Sequence, residues 1–262
     1  MDLMVHQGLG DMIICNGLIR NLCEEYNYIN LIVAKNNEIS VKSMFKDIKN
    51  LNLIIWCWGK DAKTSIKQVS VDEPIKFEGY FTEENSNFYK WYNETPNADK
   101  YIHKKGFINA YCPFIGPTNK EVIRVTNIND SSMDFDVNFY DSLNIPFDYR
   151  WSKFKINRDI SKEKELFKHF NIEENNYCFL HDDVSRGLKI NIDTDLKIIK
   201  PELGLTDNIL DYCYIIENAK EVHCMDSSFK SLADSLNLDN KLYLYTIRTK
   251  NVSKSKHNWI LK

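Results

Sequence analysis

The chain has 262 residues, 43% hydrophobic and 27% charged, with a formal net charge of −3 at pH 7. That length can bury one large core or two smaller ones, and the slightly acidic balance excludes the basic footprint of a nucleic-acid-binding surface. No apolar run approaches the roughly 20 residues of a membrane-spanning helix. Met1 and Asp2 enter a strand without the basic flank or cleavage site of a secretory leader, so the expectation is a cytoplasmic protein with no transmembrane segment.

In chain order, Met4-Val5 is a short apolar strand that runs into Gly8-Leu9-Gly10-Asp11, and residues 12–22 follow with helical periodicity. Glycines at such a turn let the backbone bend tightly and let a ligand approach. The helix beyond points free N–H groups and its positive dipole end into the same space. Gly8 and Gly10 are therefore candidate ligand-binding residues, with the carboxylate of Asp11 fixed beside them; the same pattern also serves as a plain strand-to-helix connection. Ile29–Ala34 reads as a strand, residues 41–48 as a short helix and Leu51–Trp56 as another strand. Strands alternating with helical patterns predict a parallel sheet with right-handed crossovers.

From about 60 to 132 the periodicity fades. Aromatic residues cluster there (Phe77, Tyr80, Phe81, Phe88, Tyr89, Trp91, Tyr92), and residues 112–117 (Cys-Pro-Phe-Ile-Gly-Pro) form a breaker. Residues 134–143 read as a helix and 147–157 as an irregular or strand-like crossing. Residues 161–170 read as a helix with Ser161 as N-cap. A domain boundary is placed near residue 150, giving domains at 1–150 and 151–262.

The second half is more regular. Tyr177–His181 is a buried strand, followed by the polar turn 182–187; residues 196–200 form a strand stopped by Pro201, and 207–218 an amphipathic helix. Glu221–Met225 is a strand, Asp226-Ser227-Ser228 opens a helix running to about Leu236, and 241–247 is the last strand. Trp259 is expected to anchor the polar tail. This is a second, smaller Rossmann-like unit, whose turns after each strand lie at the carboxyl edge where parallel sheets bind ligands. Hydroxyls and free helical N–H groups converge at Asp226-Ser227-Ser228, as an anion requires. Arg186 offers a planar fork to a phosphate, with Lys189 as a second cation. Seven cysteines, at 15, 23, 57, 112, 178, 213 and 224, include no C-x-x-C pair. They read as small buried hydrophobes rather than disulfides or zinc ligands, and no metal site is expected.

Taken together, Gly8-Leu9-Gly10-Asp11 with its helix, the block from Ile209 to Ser228, and Leu232-Ala233-Asp234-Ser235-Leu236 resemble heptosyltransferase-like glycosyltransferases (family 9-like) of GT-B fold. The resemblance covers about the first 60 and last 90 residues. It implies an α/β protein of two Rossmann-like α/β/α domains facing across a cleft. A nucleotide-sugar donor would sit mainly on the C-terminal domain, and a glycan or lipid-linked acceptor on the N-terminal one, in the building of a surface polysaccharide. Asp11 would be the general base on the acceptor hydroxyl. Arg186 and the backbone of Asp226, Ser227 and Ser228 would meet the donor diphosphate, with no metal and no cofactor beyond the donor itself. Ser227-Ser228 stands where the family has Thr-Gly. The rival readings are a non-catalytic carbohydrate- or nucleotide-binding protein of the same fold and an NAD-dependent oxidoreductase. For the latter, Ile13 stands at the third fingerprint glycine.

Overall fold

The structure, a computed structural model, describes residues 2–5, 8–56, 64–70, 79–81, 122–124 and 134–262. The chain divides into two compact units, Met1–Asn157 and Arg158–Lys262. Both are mixed α/β and built on parallel strands.

The first unit opens with β1 (Asp2–Met4), α1 (Leu9–Ile14), α2 (Asn16–Glu25), β2 (Ile29–Ala34), a 3-10 turn (Lys35–Asn37), α3 (Glu38–Phe45) and β3 (Leu51–Trp56). Then come β4 (Thr64–Ser70), β5 (Gly79–Phe81), β6 (Val122–Arg124), α4 (Phe135–Asp141) and α5 (Tyr149–Ser152). The sheet order is β5-β4-β3-β2-β1-β6; β3, β2, β1 and β6 are parallel, while β4 and β5 run antiparallel at one edge. Residues 29–33 of β2 are all buried, as expected of a strand covered on both faces.

Residues 147–157 are not strand-like. They contain α5 and a returning segment that docks on α2. Asn16 supplies both halves of an amide pairing there: its Oδ1 accepts from Lys155 N–H and its Nδ2 donates to Lys155 O, each at 3.1 Å. Gly17 lets the backbone of α5 approach α2 directly, because a Cβ at that position would lie 1.8 Å from Tyr149 O. Arg150, 1% exposed, pairs with the fully buried Asp136. Buried pairs of this kind add little net stability but are costly to break. The sequence missed this docking because it is made by side-chain amides and a bare glycine, which leave no periodic signal. The returning segment continues to Asn157, past the expected boundary at 150.

The second unit holds α6 (Ile160–His169), β7 (Tyr177–His181), a 3-10 turn (Val184–Arg186), β8 (Lys197–Ile199), a 3-10 turn (Ile209–Tyr212), α7 (Cys213–Glu217), β9 (Glu221–Met225), α8 (Ser228–Ser235), β10 (Lys241–Tyr245) and β11 (Ile260–Leu261). All five strands are parallel, in the order β11-β10-β9-β7-β8. Asp159, rather than Ser161, caps α6 by accepting from Lys162 N–H. The expected helix over 207–218 is split between a 3-10 turn and α7. The polar tail returns as β11, and Trp259 Nε1 donates to Asp234 Oδ1 at 3.2 Å. Cys15, Cys178, Cys213 and Cys224 are buried. The breaker at 112–117 and the aromatic cluster, apart from Tyr80 and Phe81 in β5, lie outside the described residues. Among the described residues no helix is long and apolar enough to cross a membrane.

Candidate functional site

Each unit presents candidate residues at the carboxyl edge of its own sheet. In the first, α1 begins at Leu9, so Gly8 is its N-cap and Gly10 and Asp11 belong to the first helical turn. This corrects the expectation of a two-glycine turn ahead of a helix at residue 12: Asp11 is inside the helix, where a first-turn carboxylate complements the dipole. Gly8 has ordinary extended backbone (φ −70°, ψ 142°), so its freedom is not conformational. What the position excludes is a side chain, since a Cβ would meet Asp11 Oδ2 at 2.5 Å. The carboxylate is thus folded back over the start of its own helix. One turn on, burial pushes the Cys15 thiol well up, and the charge of Asp11 adds to the effect while Arg150 opposes it. Tyr140 Oη donates to Ile14 O at 2.6 Å and fixes the end of α1.

In the second unit β7 is flanked by β8 on one side and β9 on the other. The chain leaves β7 for β8 and then crosses back to β9. The order in which the chain adds strands across the sheet therefore reverses at β7, although β7 and β9 stay parallel, and crevices form at the carboxyl ends of such a pair. Lys200 follows β8, His181 and Asp182 close β7, Asp226-Ser227-Ser228 follow β9, and Arg248 follows β10. With neighbouring strands about 4.8 Å apart, this row spans roughly 14 Å from β8 to β10.

The centre of the row is hydrogen-bonded. Ser227 caps α8, its oxygen accepting from Lys230 N–H, and the same Oγ lies 3.0 Å from His181 Nδ1. The His181 ring packs on Phe229 with centroids 4.6 Å apart. Arg248 Nη1 donates to Asp226 O at 2.9 Å, and Ser253 Oγ donates to Asp226 Oδ1 at 3.4 Å. Behind the helix start, buried Lys230 holds Ser253 through its carbonyl and hydroxyl at 2.7 and 2.8 Å. Asp182 is tied down by Lys200 at 2.8 Å and by Ile190 N–H at 3.1 Å. Burial pushes His181 down to about 4, against the pull of Asp182 and Asp183 and with the help of Lys200 and Arg248. Burial also raises the Asp226 carboxyl, which Lys230 and Arg248 oppose.

Of the residues singled out in the sequence, Asp226, Ser227 and Ser228 fall in this row. Arg186 is tied into its own turn: its side chain is 66% exposed and pairs with Asp183 at 3.2 Å across the turn closed by Gly187 (φ 73°). Lys189 is exposed in the same loop. Gly8, Gly10 and Asp11 belong to the other unit. Sequence reasoning placed His181 only as the end of a buried strand and did not single out Lys200 or Arg248. The available signal was position, since each lies at or just beyond the carboxyl end of a parallel strand. The Ser227–His181 pair has the composition of a nucleophile and base, yet Ser227 is fully extended (φ −159°, ψ 176°) and its oxygen caps α8. It lacks the strained turn that thrusts a nucleophilic serine outward.

At the amino edge of the first sheet, α2, the turn 47–50 and residues 152–155 line an open groove of about 620 Å³. Its charges pair among themselves: Arg20 and Lys155 with Asp47, and Lys153 with Glu24. Among the described residues no group of three or more His, Cys, Asp or Glu could hold a metal ion. In comparisons with known proteins, no family model, curated protein or solved structure matches the chain.

Proposed function

We propose that this chain is a nucleotide-sugar-dependent glycosyltransferase that moves a sugar to a glycan or lipid-linked acceptor. One observation carries the reading. At the carboxyl edge of the second sheet, Ser227, Ser228 and the start of α8 lie between two cations, Lys200 and Arg248. A diphosphate needs hydroxyl and N–H donors along its oxygens and positive charge at its ends. A plain sugar needs neither. Arg248 takes the place first expected of Arg186, which serves instead as an outlying cation with Lys189.

In this reading the bond from the anomeric carbon to the diphosphate breaks and its electron pair stays on the phosphate oxygen. Arg248, Lys200 and the N–H groups of α8 then meet the added charge. Asp11 takes the proton from the acceptor hydroxyl as that oxygen bonds to the anomeric carbon. For transfer, Asp11 must reach a donor held by the second unit, so two GT-B domains facing across a cleft belong to this proposal. So do metal independence, a cytoplasmic location and a role in polysaccharide assembly.

The test is a panel of nucleotide sugars and nucleoside diphosphates, read by thermal unfolding and by release of the nucleoside diphosphate. A ligand at 100 times its Kd stabilises by about 2.7 kcal/mol. No stabilisation by any member at millimolar concentration refutes the reading. Asp11→Asn is expected to keep that stabilisation and lose transfer; a variant that still transfers removes Asp11 from the mechanism.

A further inference from the structure

The Ser227 hydroxyl has a single hydrogen, and its oxygen already accepts from Lys230 N–H. Its bond to His181 Nδ1 can run in either direction, depending on which ring nitrogen carries the proton. With Nδ1 bare, the serine hydrogen points at the imidazole and is withheld from a ligand at the start of α8. With Nδ1 protonated, in the neutral Nδ1–H tautomer or in the imidazolium, the histidine donates to the serine oxygen and the hydroxyl can turn outward; a nearby anion favours the imidazolium of the two.

Resting on the reading of this edge as a nucleotide-sugar site, we propose that His181 takes up one proton when the diphosphate binds, which frees the Ser227 hydroxyl to donate to it. The uptake is a transfer from solvent to the ring, balanced by the ligand's negative charge. Nothing is oxidised or cleaved.

The surroundings of the ring favour such coupling. Asp182 and Asp183 face it from its own loop, Lys200 from the end of β8 and Arg248 from beyond β10. Ser227 and Phe229 cover it from α8, and β9 pairs with it at Cys224. Without ligand, burial and the two cations keep the ring neutral down to about pH 4. A diphosphate beside Lys200 and Arg248 offsets both cations and adds charge of the opposite sign, so protonation becomes favourable at higher pH. By linkage, whatever raises the proton affinity of His181 must itself bind more tightly as pH falls.

The probes are UDP-glucose, GDP-mannose and ADP-glucose, whose diphosphate diesters do not titrate between pH 5 and 8. Calorimetry on the full chain in buffers of different ionisation enthalpy counts protons directly. The expected result is uptake approaching one proton near pH 6, with affinity roughly tenfold higher at pH 5.5 than at pH 7.5 for an added double negative charge near the ring. His181→Asn should abolish the uptake, whereas Ser227→Ala should keep it, since the ligand's charge still faces the ring, and should weaken binding by removing the hydroxyl donor. A second measurement does not depend on the variants folding: with six histidines in the chain, the His181 ring can be followed by NMR and should shift to its imidazolium position on binding. Binding with no proton uptake and no pH dependence overturns the coupling and leaves the nucleotide-sugar reading intact. Failure of all three probes to bind at any pH overturns both.

Discussion

Replacing Gly17 with alanine sets two physical effects against each other. Gly17 lies inside α2, where Gly→Ala ordinarily stabilises a helix by about 1 kcal/mol. Here a Cβ would sit 1.8 Å from Tyr149 O, 2.7 Å from Tyr149 C and 3.3 Å from Arg150 N. All three are backbone atoms, so no side-chain rotation relieves the clash, and α5 has to move by about 1.5 Å to reach van der Waals separation. That shift carries Arg150 away from Asp136, and breaking a buried pair costs about 3–5 kcal/mol. The clash wins, and the net expectation is a loss of about 3 kcal/mol. For a unit of this size that lowers Tm by roughly 6–12 °C. Calorimetry gives the shift, and hydrogen exchange across α2 and α5 assigns it to the first unit. Adding Tyr149→Ala should restore nothing, because the obstruction is the carbonyl rather than the ring. An unchanged or higher Tm in Gly17→Ala refutes the close approach of α5 to α2, and with it the docking of residues 147–157.

Gly8→Ala should cost under about 1 kcal/mol, since only the mobile end of Asp11 obstructs the new methyl. It should nevertheless lower transfer at least tenfold by displacing that carboxylate, and unchanged kcat would show that Asp11 needs no fixed position. Arg248→Ala should weaken binding of a nucleoside diphosphate at least tenfold while Arg186→Ala changes it less than threefold, and the reverse order in calorimetry returns the site to the 182–187 turn. Without ligand, the unfolded chain protonates His181 near 6.5 and the folded chain only near 4, so stability present above about pH 6.5 is lost as pH falls toward 4. Linkage puts the share of His181 in the loss from pH 7.5 to 5 at about 2 kcal/mol, and urea denaturation should show the wild type losing about that much more than His181→Asn over the same range.

The parallel frame was legible because its strands are short continuous apolar runs, such as Ile29–Ala34 and Tyr177–Leu180, separated by helical periodicity. Boundaries moved where capping chemistry decided them. Asp159 captured the start of α6 from Ser161 because its side chain reaches Lys162 N–H, and α1 started three residues early because Gly8 accommodates the carboxylate of Asp11. The helix expected over 207–218 failed locally. Asn208, whose side chain accepts from Leu210 N–H, starts a tighter 3-10 turn there, and the α-helical part begins only at Cys213. β11 was invisible, since two residues after a polar tail carry no period. Its place is set by long-range bonds: Trp259 to Asp234, His257 to Leu236 O, and Lys262 N–H to Leu244 O.

The candidate site divides along the same line. Asp226-Ser227-Ser228 could be read in the sequence because a strand end, small hydroxyl residues and a helix start are consecutive. Lys200, His181 and Arg248 could not, because they come from three other strands and meet that turn only through the order β10-β9-β7-β8. Arg186 drew attention as the cation nearest in sequence to a plausible loop, but its partner is Asp183, three residues away in the same turn. An exposed pair of that kind holds neither residue firmly. Arg248 is anchored instead on the carbonyl of Asp226, at the start of the very helix whose N–H groups an anion would use. The stronger claim on a phosphate therefore comes from topology. Arg248 is itself exposed, on the turn after β10, but its bond to the helix start leaves less to order when ligand arrives than a pair confined to its own turn does.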